Sequence, residues 1–134
     1  MRILALDVGK RRIGVAVTDA LRITARPLCT IDRNRLAPEK IAELARDKEA
    51  DLILVGLPLH MNGSEGEQAQ DVRKFAEKLA PAVPGAELRF VDERLTTVEA
   101  QERMHDRRGS WHKKKDRIDA FAAASILERY LNEQ

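Results

Sequence analysis

The apolar positions change their period several times along this chain, and each change marks an element. Residues 2–8 form an apolar run that ends in Asp7-Val8, which predicts a buried strand. Residues 12–19 alternate, with Ile13, Val15 and Val17 on one side and Gly14, Ala16 and Thr18 on the other. The short link Gly9-Lys10-Arg11 makes these two strands a hairpin. A third strand, from about Ala25 to Ile31, carries Pro27, which places it at an edge or at a strand start.

Residues 37–50 predict a helix, with Pro38 in the first turn and Ile41, Leu44 and Ala45 at helical spacing. The continuous run from Asp51 to Pro58 predicts a strand covered on both faces. A turn-rich loop, Leu59 to Gly66, leads into a helix over about 67–80 that ends before Pro81 and Pro84. Residues 87–93 alternate as another strand. Thr96-Thr97-Val98-Glu99 is a capping box for a helix to about Arg108, which Gly109 closes. The basic stretch Arg107 to Lys115 reads as a loop. A last helix over about 116–132 begins with Ala120-Phe121-Ala122-Ala123-Ala124, apolar nearly all round, so it packs against the sheet. A three-strand opening followed by β-α units predicts a mixed sheet with helices on both faces.

The chain has 134 residues, 43% apolar and 34% charged. These values suit one globular domain spanning 1–134 and exclude a disordered or collagen-like chain. No apolar run reaches the ~20 residues of a membrane span, and the run before Asp7 is too short for a signal-peptide core. The single Cys29 excludes a disulfide framework and suits a reducing cytoplasm. The formal charge is +2, but residues 103–117 carry a local +5 and Lys10-Arg11-Arg12 a further +3, leaving −6 on the rest. Two basic clusters on an acidic body point to a polyanionic partner, with a solvated charge run as the alternative.

Three acidic places stand out. Asp7 ends one apolar strand, Asp92 and Glu93 end another, and Asp119 lies inside the most apolar helix. A buried carboxylate costs several kcal/mol unless it is paired or bound to a cation. Ligands in open α/β sheets gather at the carboxyl ends of parallel strands, and a helix could bring Asp119 alongside. Clustered carboxylates need a counterion, and oxygen donors without a His/Cys set favour Mg²⁺ or Mn²⁺ over Zn²⁺. His60, His105 and His112 are not in metal-site spacing. Two such ions about 3.5–4 Å apart would activate a water and stabilise the leaving oxygen of a phosphodiester. Side chains alternate along a strand, so only one of Asp92 and Glu93 faces such ions well.

Each piece also has a plain structural reading. Asp7 accepts hydrogen bonds from the Gly9-Lys10 turn, Asp92 pairs with Arg94, and Asp119 caps the first turn of its helix. Lys113-Lys114-Lys115 solubilises a loop. Trp111 among these lysines suits base stacking or an interface, or folds back as a local plug.

Taken in order, the chain holds Asp7-Val8-Gly9-Lys10-Arg11-Arg12-Ile13-Gly14-Val15-Ala16, then Val55-Gly56-Leu57-Pro58 and Asn62-Gly63-Ser64-Glu65-Gly66. Val91-Asp92-Glu93-Arg94-Leu95-Thr96-Thr97 and Asp119-Ala120-Phe121-Ala122-Ala123 follow. This series resembles the YqgF/RuvX family of Holliday-junction resolvases in the RNase H-like superfamily, over nearly the whole chain. The Asp-Glu-Arg-Leu-Thr-Thr run and the Gly-Leu-Pro loop are its specific parts.

The resemblance implies an RNase H-like α/β fold, a five-stranded mixed sheet whose first three strands are antiparallel. It implies a metal-dependent nuclease that processes the 5′ end of pre-16S rRNA, resolves branched DNA, or both, leaving 5′-phosphate and 3′-hydroxyl ends. Carried over by position, the catalytic acids are Asp7, Glu93 and Asp119, with Asp92 the rival to Glu93, holding one or two Mg²⁺ or Mn²⁺ ions. Lys10, Arg11, Arg94, Thr96, Arg107, Arg108, Trp111, Lys113, Lys114 and Lys115 are the expected nucleic-acid contacts. Lys10 stands where many members carry a small hydroxyl residue, so a cation replaces any hydroxyl role at this turn. Paired cuts need two centres, so the resemblance admits a homodimer. Two other classes fit parts of the pattern. One is a non-catalytic RNA-binding factor for ribosome assembly or transcription. The other is a sugar-kinase-like or actin-like ATPase, which needs two related domains that 134 residues do not supply.

Overall fold

In the computed structural model, which describes residues 1–92 and 111–133 (with side chains from residue 119 onward in the second stretch), the first strand lies at the centre of the sheet. Ile3, Leu4, Ala5 and Leu6 are buried because β1 (Arg2–Val8) runs through the middle of the sheet. It is flanked by β2 (Arg12–Thr18), antiparallel, and by β4 (Ala50–Leu57), parallel. Outside them lie β3 (Ala25–Asp32), antiparallel to β2, and β5 (Glu87–Asp92), parallel to β4. The order is β3-β2-β1-β4-β5, the expected mixed sheet with its first three strands antiparallel. Pro27 sits on edge strand β3, where the register with β2 shifts between Val15 and Ala16. A residue without an N–H is tolerated at such a place.

The pleat sorts side chains into two cores. Leu4, Leu6, Val8, Ile13, Val15, Val17, Ile53 and Val55 face α1 (Ala37–Asp47) and α2 (Glu67–Leu79). Ile3, Ala5, Ala16, Leu52 and Leu54 face α3 (Trp111–Asn132), which contributes Ala123, Ala124, Ile126 and Leu127. Small residues on both β2 and α3 let the helix lie close to the sheet. Gly14 carries this furthest. A methyl group built on it would stand 1.8 Å from the carbonyl oxygen of Asp119 and 2.9 Å from the amide nitrogen of Ala120. Helix α3 thus rests directly on the backbone of β2.

Element ends differ from expectation at three places. Helix α1 stops at Asp47, because Glu49 turns into the left-handed region at φ 54° and Ala50 already begins β4. No glycine advertises that stop. Helix α2 passes into a short 3₁₀ turn, Ala80–Ala82, around Pro81. Helix α3 begins at Trp111, so residues 111–115 are helical and not part of a loop. Lysine is a good helix former, and no glycine or proline interrupts Trp111 to Asn132. The helix expected from Thr96 to Arg108 lies outside the described residues. Among the described residues no helix is long and apolar enough to cross a membrane.

The contact at Gly14 predicts that Gly14→Ala costs about 3 kcal/mol, the upper end for overpacking, because the atoms it meets are backbone. Urea unfolding should show a lowered midpoint. An unchanged midpoint would mean that α3 does not sit where described.

Candidate functional site

The parallel strands β1, β4 and β5 end on the same edge of the sheet, and Asp7, Leu57 and Asp92 mark those ends. Asp7 belongs by alternation to the face of Ile3 and Ala5, the face covered by α3. Its ladder partner on β2 is Gly14. On the other side, one step beyond the paired residues Leu6 and Val55, stands Gly56. Asp7 therefore projects between two residues without side chains, and the backbone of Asp119 lies over one of them. Two acids 112 positions apart in sequence thus border one glycine, Asp7 as its ladder partner and Asp119 through its backbone.

Asp119 is the ninth residue of the 22-residue α3, so it does not cap the first turn. The helix carries it to the site from within. Its Oδ2 is shielded from solvent, and the Arg12 guanidinium lies beside it, Nε to Oδ2 3.0 Å. Arg12 shares the α3 face with Gly14 and Ala16, since it lies at even spacing from them on β2. Both side chains of this pair are about three-quarters buried, so the attraction is screened less than a surface ion pair would be.

The turn after Asp7 is closed by the Gly9 amide donating to the Arg12 carbonyl, 2.8 Å. That amide is thereby committed to the hairpin. A Cβ on Gly9 would stand 2.8 Å from the same oxygen, which is why a glycine follows the acid. Lys10 and Arg11 are exposed at the tip. Behind the tip, Arg33 ties the turn down. Its Nη1 donates to the Gly9 carbonyl at 2.9 Å, and its guanidinium forks onto Asp71 of α2 at 2.7 and 2.9 Å. The same group lies 5.3 Å from the centre of the Phe75 ring. The Arg33 hydrogen bonds hold the Asp71 carboxyl below its ordinary range, with Lys74 and Lys10 adding longer-range attraction.

Asp92 belongs by alternation to the sheet face opposite that of Asp7. It pairs in register with Leu57, which belongs to the α1/α2 core. Phe90, two residues earlier on the same face, lies under Arg73 of α2, 4.7 Å from guanidinium to ring centre. Glu93, Arg94, Thr96, Arg107 and Arg108 lie outside the described residues. Trp111, Lys113, Lys114 and Lys115 occupy the first turns of α3. Among the described residues no three His, Cys, Asp or Glu side chains stand together as a metal site. What the described residues offer is two carboxylates beside Gly14, one from a strand and one from a helix, the latter with a buried oxygen. All-oxygen donors of this kind fit a hard divalent cation such as Mg²⁺ or Mn²⁺.

Gly14, Arg12 and Arg33 carry positioning roles that the sequence reading did not assign. A lone glycine inside an apolar strand was the available signal for a close backbone approach. Nothing in the sequence links Arg33 to the Gly9 turn, because the contact joins positions 24 residues apart.

A family model described as RuvX, Holliday junction resolvase, matches residues 1–133. A relative from Endomicrobium trichonymphae, provisionally named a pre-16S rRNA nuclease, is 44% identical over 136 residues, covering 99% of this chain and 96% of its own. A relative from Roseiflexus sp. (strain RS-1) with the same name is 44% identical over 135 residues, covering 99% and 95%. Among solved structures, T. thermophilus RuvC in complex with a Holliday junction substrate superposes with a TM-score of 0.61 at 14% identity, covering 99% of this chain and 96% of that one. The fowlpox virus Holliday junction resolvase gives 0.57 at 12% identity over the whole of both chains. At such identities these neighbours show the fold, which is RNase H-like.

The lowered Asp71 carboxyl sets the sign of a pH effect. Its contribution to stability is present above the ordinary carboxylate range and is lost as pH falls through the lowered value. Asp71→Asn should therefore destabilise the protein near neutral pH, and its difference from the parent should close as pH drops below 3.8. Urea unfolding across that range checks this. A difference that stays constant with pH would show that the Arg33 fork does not hold Asp71.

Proposed function

The chain belongs to the RuvX family of Holliday junction resolvases, and on that premise we infer that it is a nuclease that hydrolyses phosphodiester bonds in structured nucleic acid, with Asp7, Glu93 and Asp119 holding one or two Mg²⁺ or Mn²⁺ ions. The nuclease role rests on the family and on the names of its relatives. The metal role is supported by one observation, that Gly14 is the ladder partner of Asp7 and lies against the backbone of Asp119. The pleat that turns Asp92 toward the α1/α2 face favours its neighbour Glu93 as the third acid.

When bound, a divalent ion supplies Lewis-acid stabilisation of the charge developing on the phosphoryl oxygens and lowers the pKa of the attacking water. The chain's own residues do the rest. Asp7, fixed on a central strand, and Asp119, fixed on a helix seated on that strand's neighbour, keep their carboxylates in place without reorganisation. Arg12 offsets the charge of Asp119 and is also placed to meet an incoming phosphate oxygen, for which a guanidinium is suited. Arg33 holds the Gly9 carbonyl, and with it the turn that presents Lys10 and Arg11 to the substrate backbone. The lysines at the start of α3 and the basic positions before it extend that grip.

The relatives' names point to an rRNA precursor as substrate, and the family description points to branched DNA. On a four-way junction the chain would act as a homodimer to place two centres, whereas a single cut in RNA needs one. The cytoplasm is the proposed location, in keeping with the single half-buried thiol, whose pKa burial raises.

The test is cleavage of a four-way DNA junction and of a ribosomal precursor RNA by pure protein in Mg²⁺ or Mn²⁺. Asp7→Asn should lower the rate at least about a hundredfold, the scale of removing a fixed electrostatic group, with the unfolding midpoint retained. Glu93→Gln should do the same, and Asp92→Asn should leave cleavage within a few-fold. Undiminished cleavage by Asp7→Asn would show that the centre lies elsewhere. Tight, salt-sensitive RNA binding without cleavage under either metal would favour a binding factor instead.

A further inference from the structure

Away from the carboxylates, on the α1/α2 face, lies a cavity of about 440 Å³ whose chemistry the nuclease site does not use. Four cations line it, Arg33, Arg35, Lys74 and Lys78, against one carboxylate, Asp71. That carboxylate is already occupied by both arms of the Arg33 fork. The floor is Phe75, 4% exposed, and Arg33 itself is only 18% exposed, so this part is rigid. The outer cations are solvent-facing. Lys74 and Lys78 are one helical turn apart on α2, with roughly 6 Å between their β-carbons, close to the separation of successive phosphates on a strand. Arg35 stands on the opposite wall, in the link between β3 and α1.

The cavity is continuous with the catalytic edge through one residue. Arg33 reaches from the cavity to the Gly9 carbonyl, and Lys10 at the tip of that turn lies close enough to attract Asp71. Strand β3 runs parallel to β1, so its end, where Arg33 and Arg35 follow, lies on the same sheet edge as Asp7. We propose that this groove binds the phosphodiester backbone of the nucleic acid beyond the cleavage point, the strand passing from the Asp7 edge over Lys10 and down along Lys74 and Lys78. The proposal rests on the nuclease reading and adds a second binding face to it. The partner is a nucleic-acid backbone, because cations spaced along a helix beside a rigid guanidinium match a row of phosphates and offer nothing that reads bases. Through this groove the protein would require structured substrate on both faces of its sheet.

The test compares Lys74→Gln/Lys78→Gln with the parent and with a control of equal charge loss at distant exposed positions, Arg26→Gln/Arg46→Gln. Binding is read by fluorescence anisotropy in EDTA, so that nothing is cut, on a labelled RNA hairpin and on a labelled four-way DNA junction across a salt series. The expected result is about a tenfold loss of affinity near 0.1 M salt and a salt slope shallower by about 1.5 to 2 for two phosphate contacts. Arg35→Gln should repeat half of that slope change from the other wall. Loss on both probes assigns the groove to the shared backbone, and loss on one assigns it to that nucleic acid. A loss no greater than the control's, with unfolding midpoints equal, overturns the groove. Cleavage by the parent in Mg²⁺, measured on the same preparation, keeps that outcome separate from failure of the nuclease reading.

Discussion

Helix α3 lies on the bare backbone of β2 at Gly14, and the geometry of the candidate site follows from that contact. A side chain there would hold the helix off the sheet by the width of a methyl group or more. Asp119 would then move away from Asp7, whose ladder partner Gly14 is. The apolar residues around the contact, Ala16, Ala123, Ala124, Ile126 and Leu127, drive the packing by burial. They do not set where along the strand the helix touches. The glycine does, because only at that position can two backbones approach so closely.

The charges at the sheet edge are organised by two arginines with different tasks. Arg12 sits with Asp119 and offsets the cost of a carboxylate oxygen shielded from water. Arg33 touches no acid of the proposed centre. It binds Asp71, stacks near Phe75 and holds the Gly9 carbonyl, so the turn beside Asp7 is tied to α2. One group reaches from the turn after Asp7 to the cationic groove on the α1/α2 face. The hairpin turn is thereby tied to the α1/α2 layer by a side chain as well as by the strands.

The strands along the chain, the opening hairpin and both helical layers were legible because their signals are periodic and local. Alternation at Ile13, Val15 and Val17, the apolar run through Leu52 to Leu57, and Pro27 on an edge strand each have a direct physical reading. The family motifs led to Asp7 and Asp119, and Gly14 is the ladder partner of the first and lies against the backbone of the second. What was not legible was either unmarked or distant. The end of α1 at a left-handed Glu49 has no glycine to announce it. The extension of α3 back to Trp111 was hidden because a lysine run looks like a loop by charge, although lysine favours helix. The face that Asp92 takes was set only by its register with Leu57 and by the place of Phe90 under Arg73. The Arg33 clamp joins a β-turn, a strand end and a helix, and no local pattern encodes such a meeting.

The central claim is that carboxylates from a strand and from a helix, brought together over Gly14, hold a divalent cation. Titration of the pure protein with Mn²⁺, followed by the electron paramagnetic resonance signal of the free ion, tests it without reference to any substrate. The account predicts that the parent protein takes up Mn²⁺ and that Asp7→Asn and Asp119→Asn, each still folded, lose that uptake. Equal uptake by the parent and both variants would contradict it.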